Sequence, residues 1–442
     1  MNRCVQPTMR QKRAQASPGK PELLAPAGSL EKCKIAYLYG ADAVYVGGKE
    51  YSLRAFATNF TRDELAAASR LAHESGKKLY VTVNTFARQS DLESLPSYLQ
   101  YLQEIQVDAL IVSDPGVILL CRAHAPTIPI HLSTQANTTN ALSVLFWKNQ
   151  GISRINLARE LSIDEIKSIR TETSIELEIF VHGAMCVSYS GRCLLSAFLN
   201  DRSANRGLCT QPCRWSYRLV EEKRPGQYFP IAEDTHGSYI FNSKDLCLLQ
   251  EMGLLMSLGI EAFKIEGRMK GVLYLASVVR AYRQAIDAYW QDPDSYTAKE
   301  EWRLDLEHVS HRPYSKGLLF PEDHALHQGS DESNPYCQTH TLAGIVREHS
   351  LPQHPLSIYP EEEQSLWVRV EVRSRIVAGM TLEFLYPDGR TMEHTLNYFE
   401  DLAATPLRVA QPNTMITFPV PFTVFPLQVI RMEQPAGSSA QK

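Results

Sequence analysis

Between residues 22 and 290, short apolar runs alternate with helix-length stretches, and this rhythm constrains the fold more than any other feature. The runs fall at 22–26, 41–46, 78–83, 109–112, 130–135, 154–158, 175–181 and 261–265. Strands buried on both faces read as near-continuous apolar runs of this kind. The stretches between them carry helix-start signals. Ser29 can cap a helix to 39, and Thr61 with Glu64 and Ser162 with Glu165 have capping-box spacing. Helices are expected over 61–73, 92–105, to about 124 after Asp114-Pro115-Gly116, 140–149, 162–170, 246–258 and 272–290. Eight strands alternating with helices predict an α/β fold, a (β/α)8 TIM-like barrel. An open doubly wound sheet is the alternative; it is weakened because no G-x-G-x-x-G follows the first strand.

The eighth strand is delayed by an insertion at about 183–245, which leaves the C-terminal end of strand seven. In a barrel of this type that end is the functional face. Past residue 330 the texture changes to short strand-like runs at 340–346, 366–372, 381–385 and 414–418, with Pro387-Asp388-Gly389 as a turn. The expected organisation is a disordered basic tail over 1–20, a barrel domain over 21–330, a polar linker over 328–335 and a small barrel-like β domain over 336–433. Residues 434–442 are expected to fray. The tail holds Arg3, Arg10, Lys12, Arg13 and Lys20 and no acid; an RNA-contacting arm is its sharper reading.

Four of the nine cysteines sit in the insertion: Cys186 and Cys193 spaced C-x6-C, then Cys209 and Cys213 spaced C-x3-C. No apolar run reaches the ~18 residues of a membrane span, and the N-terminus lacks a secretion signal. The default compartment is the cytoplasm, where thiols stay reduced and structural disulfides are improbable. Clustered thiols then point to a metal centre. Zinc prefers tighter knuckles in two pairs, whereas wide, uneven spacing suits an iron–sulfur cluster. Zinc and unliganded thiols remain the alternatives. Cys33, Cys121 and Cys247 fall in expected helices and read as small hydrophobes; Cys4 and Cys337 fall in segments expected to be flexible. The net charge of −4 supplies no bulk excess of base that would argue for nucleic acid, though a local basic groove is compatible with it.

The run Glu178-Ile179-Phe180-Val181-His182-Gly183-Ala184-Met185-Cys186-Val187-Ser188-Tyr189-Ser190-Gly191-Arg192-Cys193-Leu194-Leu195-Ser196 closely resembles the signature of the collagenase-like peptidase family U-32. Leu24-Ala25-Pro26-Ala27-Gly28, Gly40-Ala41-Asp42-Ala43-Val44-Tyr45-Val46-Gly47, Asn242-Ser243-Lys244-Asp245-Leu246 and Lys264-Ile265-Glu266-Gly267-Arg268 fit the same family. The resemblance covers about 21–290 and a C-terminal β domain found in some members. It implies one of several activities. One branch hydroxylates the wobble uridine of tRNA with prephenate, another acts on a ribosomal RNA cytidine, and a third serves ubiquinone synthesis. The architecture and Cys209-x3-Cys213-Arg214-Trp215 are most similar to the tRNA uridine branch. That resemblance implies a 4Fe-4S cluster on Cys186, Cys193, Cys209 and Cys213, prephenate as co-substrate and the tRNA anticodon loop as partner. The family name implies proteolysis instead. No H-E-x-x-H or G-x-S-x-G supports it, and a Cys186–His182 nucleophile pair would need a thiol that the cluster also claims. A cluster-carrying, non-catalytic partner of a larger complex is the third reading.

Asn84, Asp114, Gln135, Arg159, Glu266 and Arg268 lie at or just past strand ends, where polar residues can grip a substrate. Arg159 and Arg268 could clamp the carboxylates of a small dicarboxylate such as prephenate; structural ion pairs are the plainer reading. His182 and Glu266 are the candidate acid and base, with a hydrogen bond near the cluster as the plainer role for His182. Trp215 could stack on an unpaired base with Arg214 on phosphate, or pack within the insertion. No two-histidine, one-carboxylate iron site is visible, and four cysteine ligands leave a cubane no open position. Electron transfer or a structural role is then the natural use of a cluster. Oligomeric state and the source of the oxygen atom are not encoded legibly.

Overall fold

The computed structural model describes residues 19–52, 59–185, 244–320, 337–351 and 366–434, together with Ser196 and the strand pieces Leu219–Val220, Tyr228–Phe229, Ala232–Asp234 and Gly237–Tyr239. Eight parallel strands close on themselves as expected. They are β1 (Glu22–Pro26), β2 (Ala43–Gly47), β3 (Lys78–Val83), β4 (Ala109–Val112), β5 (Ile130–Leu132), β6 (Arg154–Asn156), β7 (Glu176–Ala184) and, after the short β8 (Asp245–Cys247), β9 (Ala262–Ile265). Neighbours pair in chain order, and Phe263 of β9 lies opposite both Leu23 of β1 and Ile179 of β7, which closes the ring.

The flanking helices are α1 (Leu30–Leu38), α2 (Arg62–Glu74), α3 (Gln89–Leu92), α4 (Leu95–Glu104), α5 (Pro115–His124), α6 (Ala141–Asn149), α7 (Ile163–Glu172), α8 (Met252–Ser257), α9 (Val272–Gln291) and α10 (Glu300–Glu307). Their starts follow the capping signals: both boxes form, Thr61 with Glu64 and Ser162 with Glu165. Outward-facing strand residues such as Leu23, Val44, Leu79, Leu110, Ile155 and Leu177 are fully buried under these helices. Cys33 and Cys121 belong to that layer, and burial pushes both thiols up to about 12.

Two expected helices are corrected. The stretch 92–105 is helical only over α4, which starts at Leu95 with Pro96 in its first turn, while the short α3 ends at Leu92, where the helix was expected to begin. The stretch 246–258 is helical only over α8. Its first residues form β8, where Asp245, Leu246 and Cys247 pair antiparallel with Ala184, Gly183 and His182. Cys247 is therefore a strand residue. Sheet pairing supplied by the rest of the fold overrides the local helical pattern.

The C-terminal part is an antiparallel sheet, as expected from its turns and short strands. It holds β11 (His340–Leu351), β12 (Leu366–Val372), β13 (Thr381–Leu385), β14 (Thr391–Thr395), β15 (Phe399–Glu400), β16 (Pro406–Leu407), β17 (Met415–Val420) and β18 (Val429–Glu433), in the order β14-β13-β18-β11-β12-β17-β15-β16; β10 (Tyr314–Ser315) belongs to the barrel and pairs with β8. This sheet docks on α1 and α9. Tyr39, at the C-terminal cap of α1 and fully buried, donates to the Leu385 carbonyl at 2.9 Å and accepts from the Val429 N–H at 2.9 Å. Arg280 of α9 pairs with Asp305 at 2.5 Å, and Asp305 also takes Arg431 of β18 at 2.9 Å. Cys337 is not in a free segment: its backbone exchanges hydrogen bonds with His311 at 2.8 and 3.1 Å. Residues 1–18 and 435–442, expected to be a loose tail and a frayed end, lie outside the described residues. Among the described residues no helix is long and apolar enough to cross a membrane.

Candidate functional site at the mouth of the barrel

The barrel lumen is ionic. Glu22 of β1 accepts from Arg154 of β6 at 2.6 Å, from Lys78 at 3.0 Å and from the Tyr80 hydroxyl at 2.8 Å. One layer up, Glu178 of β7 accepts from Lys264 of β9 at 2.9 Å and from the Asn156 amide at 2.8 Å, and Arg154 lies 3.7 Å away. Lys264 stands over the Tyr45 ring at 4.6 Å. Burial alone would raise Glu22, but Arg154 and Lys78 hold its carboxyl below the ordinary range. His131 faces the same layer. Burial, and then the Arg154, Lys264 and Lys78 cations, push its pKa well below 6.5, so it is neutral.

Above this ladder, at the C-terminal ends of the strands, the expected residues come together in part. Asn84 follows β3 and donates to the Gln135 side-chain carbonyl at 2.6 Å, reaching across β4. Arg268 is buried and donates to Ser52 at 2.9 Å, Thr82 at 3.2 Å and Asn59 at 2.8 Å. Gly47 makes room for it, since a Cβ there would sit 2.5 Å from its guanidinium nitrogen. Glu266 accepts from the Tyr45 hydroxyl at 3.1 Å, which ties the mouth to the lumen. Arg159 stacks on Phe180 at 4.0 Å and donates to the Ala184 carbonyl at 3.0 Å, at the point where the insertion departs. Asp114, by contrast, caps α5, accepting from Gly116 and Val117 at 2.8 and 3.1 Å.

His182 does not present itself as an acid or base. The register shift between Lys264 and Ile265 leaves it opposite Ile265, packed against the rings of Tyr274, Tyr282 and Tyr314. It is 1% exposed, and burial pushes its pKa down to about 3, assisted by His311 and Lys270 and opposed by Asp245. Beside it, Asp245 is paired with Arg312: Oδ1 accepts from the guanidinium Nη2 and Nε at 2.7 and 3.0 Å and Oδ2 from the Arg312 backbone N–H at 3.1 Å, which anchors the returning end of the insertion. Cys186, Cys193, Cys209, Cys213, Arg214 and Trp215 lie outside the described residues.

Glu22, Tyr80, Arg154, Glu178 and Lys264 were not among the residues singled out from sequence. Four of them carried a signal, a charge within a largely apolar strand run, while Tyr80 carried none.

A family model described as Peptidase family U32 matches residues 28–329, and one described as the Peptidase family U32 C-terminal domain matches 357–431. The chain belongs to peptidase family U32. This U32 chain is 37% identical over 417 residues to tRNA hydroxylation protein P1 of Bacillus subtilis (strain 168), covering 93% of this chain and 94% of that one. It is 37% identical over 421 residues to tRNA hydroxylation protein P of Escherichia coli (strain K12), covering 86% and 89%. A further U32 relative, the 23S rRNA 5-hydroxycytidine C2501 synthase of Escherichia coli (strain K12), is 38% identical over 267 residues, covering 60% of this chain and 39% of that one.

Proposed function

We propose that this U32 protein hydroxylates the wobble uridine of tRNA to 5-hydroxyuridine, taking prephenate as co-substrate and carrying a 4Fe-4S cluster on Cys186, Cys193, Cys209 and Cys213. The observation that carries the reading is the end-to-end likeness to proteins named for tRNA hydroxylation, which spans the barrel, the insertion and the C-terminal sheet alike. Proteolysis has less support. The base that a Cys186 nucleophile would need is His182, which is sealed under three tyrosine rings.

The thiols fit a cluster by chemistry and by anchorage. Four soft donors sit on one excursion whose ends are held side by side, Asp245 opposite Ala184. When bound, such a cluster supplies a site for one-electron transfer. The chain's own residues do the rest. Arg159 and Arg268 put positive charge at the mouth, suited to a small carboxylate, while the Asn84–Gln135 amides offer neutral polar contacts suited to a base. Anticodon-loop bases can be splayed out to meet contacts of this kind.

Mass spectrometry of tRNA nucleosides from a deletion strain tests the reading. Loss of 5-hydroxyuridine, restored by the intact gene and not by a C186A copy, is expected. Anaerobically purified protein should be brown with about four irons per chain. Undiminished hydroxyuridine in a strain with no second member of the family would refute it.

A further inference from the structure

Two polar side chains, Gln135 at the mouth and Asn156 in the uppermost layer of the lumen beneath it, are held in orientation yet each keeps one buried atom without a partner. The Gln135 carbonyl oxygen accepts from Asn84 at 2.6 Å and from the Ser133 hydroxyl at 3.3 Å, and the Ser133 oxygen in turn accepts from the Gln135 backbone N–H at 3.4 Å. This fixes which end of the amide points where, and the Gln135 Nε2 donor is left unpaired at 5% residue exposure. Asn156, 3% exposed, gives its amide N–H to Glu178 at 2.8 Å, which leaves its Oδ1 acceptor unpaired. The two residues are on neighbouring strands. Leu132 of β5 pairs with Ile155 of β6, so Asn156 lies one step beyond that pair and Gln135 three. Buried polar groups left unsatisfied cost stability, and where they persist a ligand is a sound explanation.

The geometry points to a base-reading pair: Gln135 Nε2 as donor and Asn156 Oδ1 as acceptor, complementary to one edge of uracil. Uracil offers an acceptor at O4 and a donor at N3–H. Cytosine shows the reverse, a donor at N4 and an acceptor at N3. The locked orientations therefore select uracil and reject cytosine, because the wrong base leaves both protein atoms facing like groups. The pair is a specificity determinant of the proposed reaction, and the inference rests on that reading of function. Glu178 and Lys264 enter as positioning residues, since they hold the Asn156 amide.

Binding of anticodon stem–loop RNAs to the anaerobically prepared holoprotein provides the test. The target position would carry uridine, cytidine or 3-methyluridine, which lacks the N3 proton. Uridine RNA is expected to bind at least about tenfold tighter than either of the others. In Q135M, with its thermal melt matching the parent, the preference for uridine over cytidine should disappear; Q135E should disfavour uridine outright. Because two of the four comparisons change only the RNA, a folding defect cannot produce the pattern. Equal binding of uridine and cytidine RNAs by the parent protein, or an undiminished preference in Q135M, overturns the proposal and leaves the hydroxylase reading intact. No binding of any of the RNAs, with unchanged hydroxyuridine in the deletion strain, overturns both.

Discussion

Glu178 shows how much of this molecule depends on single charges. It is 2% exposed and shares its carboxylate between Lys264 and Asn156. Removing one partner of a buried pair strands the other without compensation, and that costs ~3–5 kcal/mol. Glu178→Ala is expected to lose about that much in urea denaturation, and Glu178→Leu combined with Lys264→Met should recover most of it. His182 sets a second expectation. Its folded pKa of about 3 lies below the ordinary 6.5, so the unfolded chain binds the extra proton between those values. The stability tied to a neutral His182 is complete above pH 6.5 and falls as pH drops towards 3. His182→Phe should flatten stability against pH in that window by up to ~1.4 kcal/mol per pH unit, measured by denaturant melts at stepped pH. Both residues could be read from sequence as polar letters in apolar strands. Which way each faced could not, because the bulge beside Ile265 shifts the alternation and turns His182 out of the series.

At the level of elements, β7 and β8 decide where the insertion leaves and returns. Gly183 takes φ +108°, and a Cβ there would lie 2.4 Å from the Glu266 carbonyl oxygen, a backbone atom that cannot swing aside. Gly183→Ala combines left-handed strain with overpacking, and a loss of about 2–4 kcal/mol is expected from thermal melts. The returning strand is fastened by Asp245 to Arg312, and Arg312→Met should cost ~3–5 kcal/mol by taking the paired guanidinium from a buried carboxylate. The β8 strand was read as helix because Leu246, Leu248 and Leu249 look helical in isolation. Nothing local announces an edge waiting at Gly183 and Ala184. The eight barrel strands were legible for the opposite reason: each is buried on both faces, so its apolar run is its own evidence.

The whole molecule is held as one piece by polar contacts between its two parts. Tyr39 bonds both Leu385 and Val429, and Asp305 is shared by Arg280 and Arg431. Tyr39→Phe strips a partner from a buried carbonyl and a buried N–H together. A loss of ~1–3 kcal/mol is expected, appearing in calorimetry as earlier melting of the C-terminal sheet. The docking was invisible in sequence, since Tyr39 and Leu385 stand 346 positions apart.

Alternating apolar runs, capping boxes and clustered cysteines determined the barrel, its helix starts and the place of the insertion, because each signal is satisfied by neighbours along the chain. Tertiary structure alone decided that Asn84 meets Gln135, that Arg268 is cradled by Ser52, Asn59 and Thr82, and that His182 is sealed away. Those outcomes depend on strand order, register and a bulge, which bring together side chains that no local pattern connects.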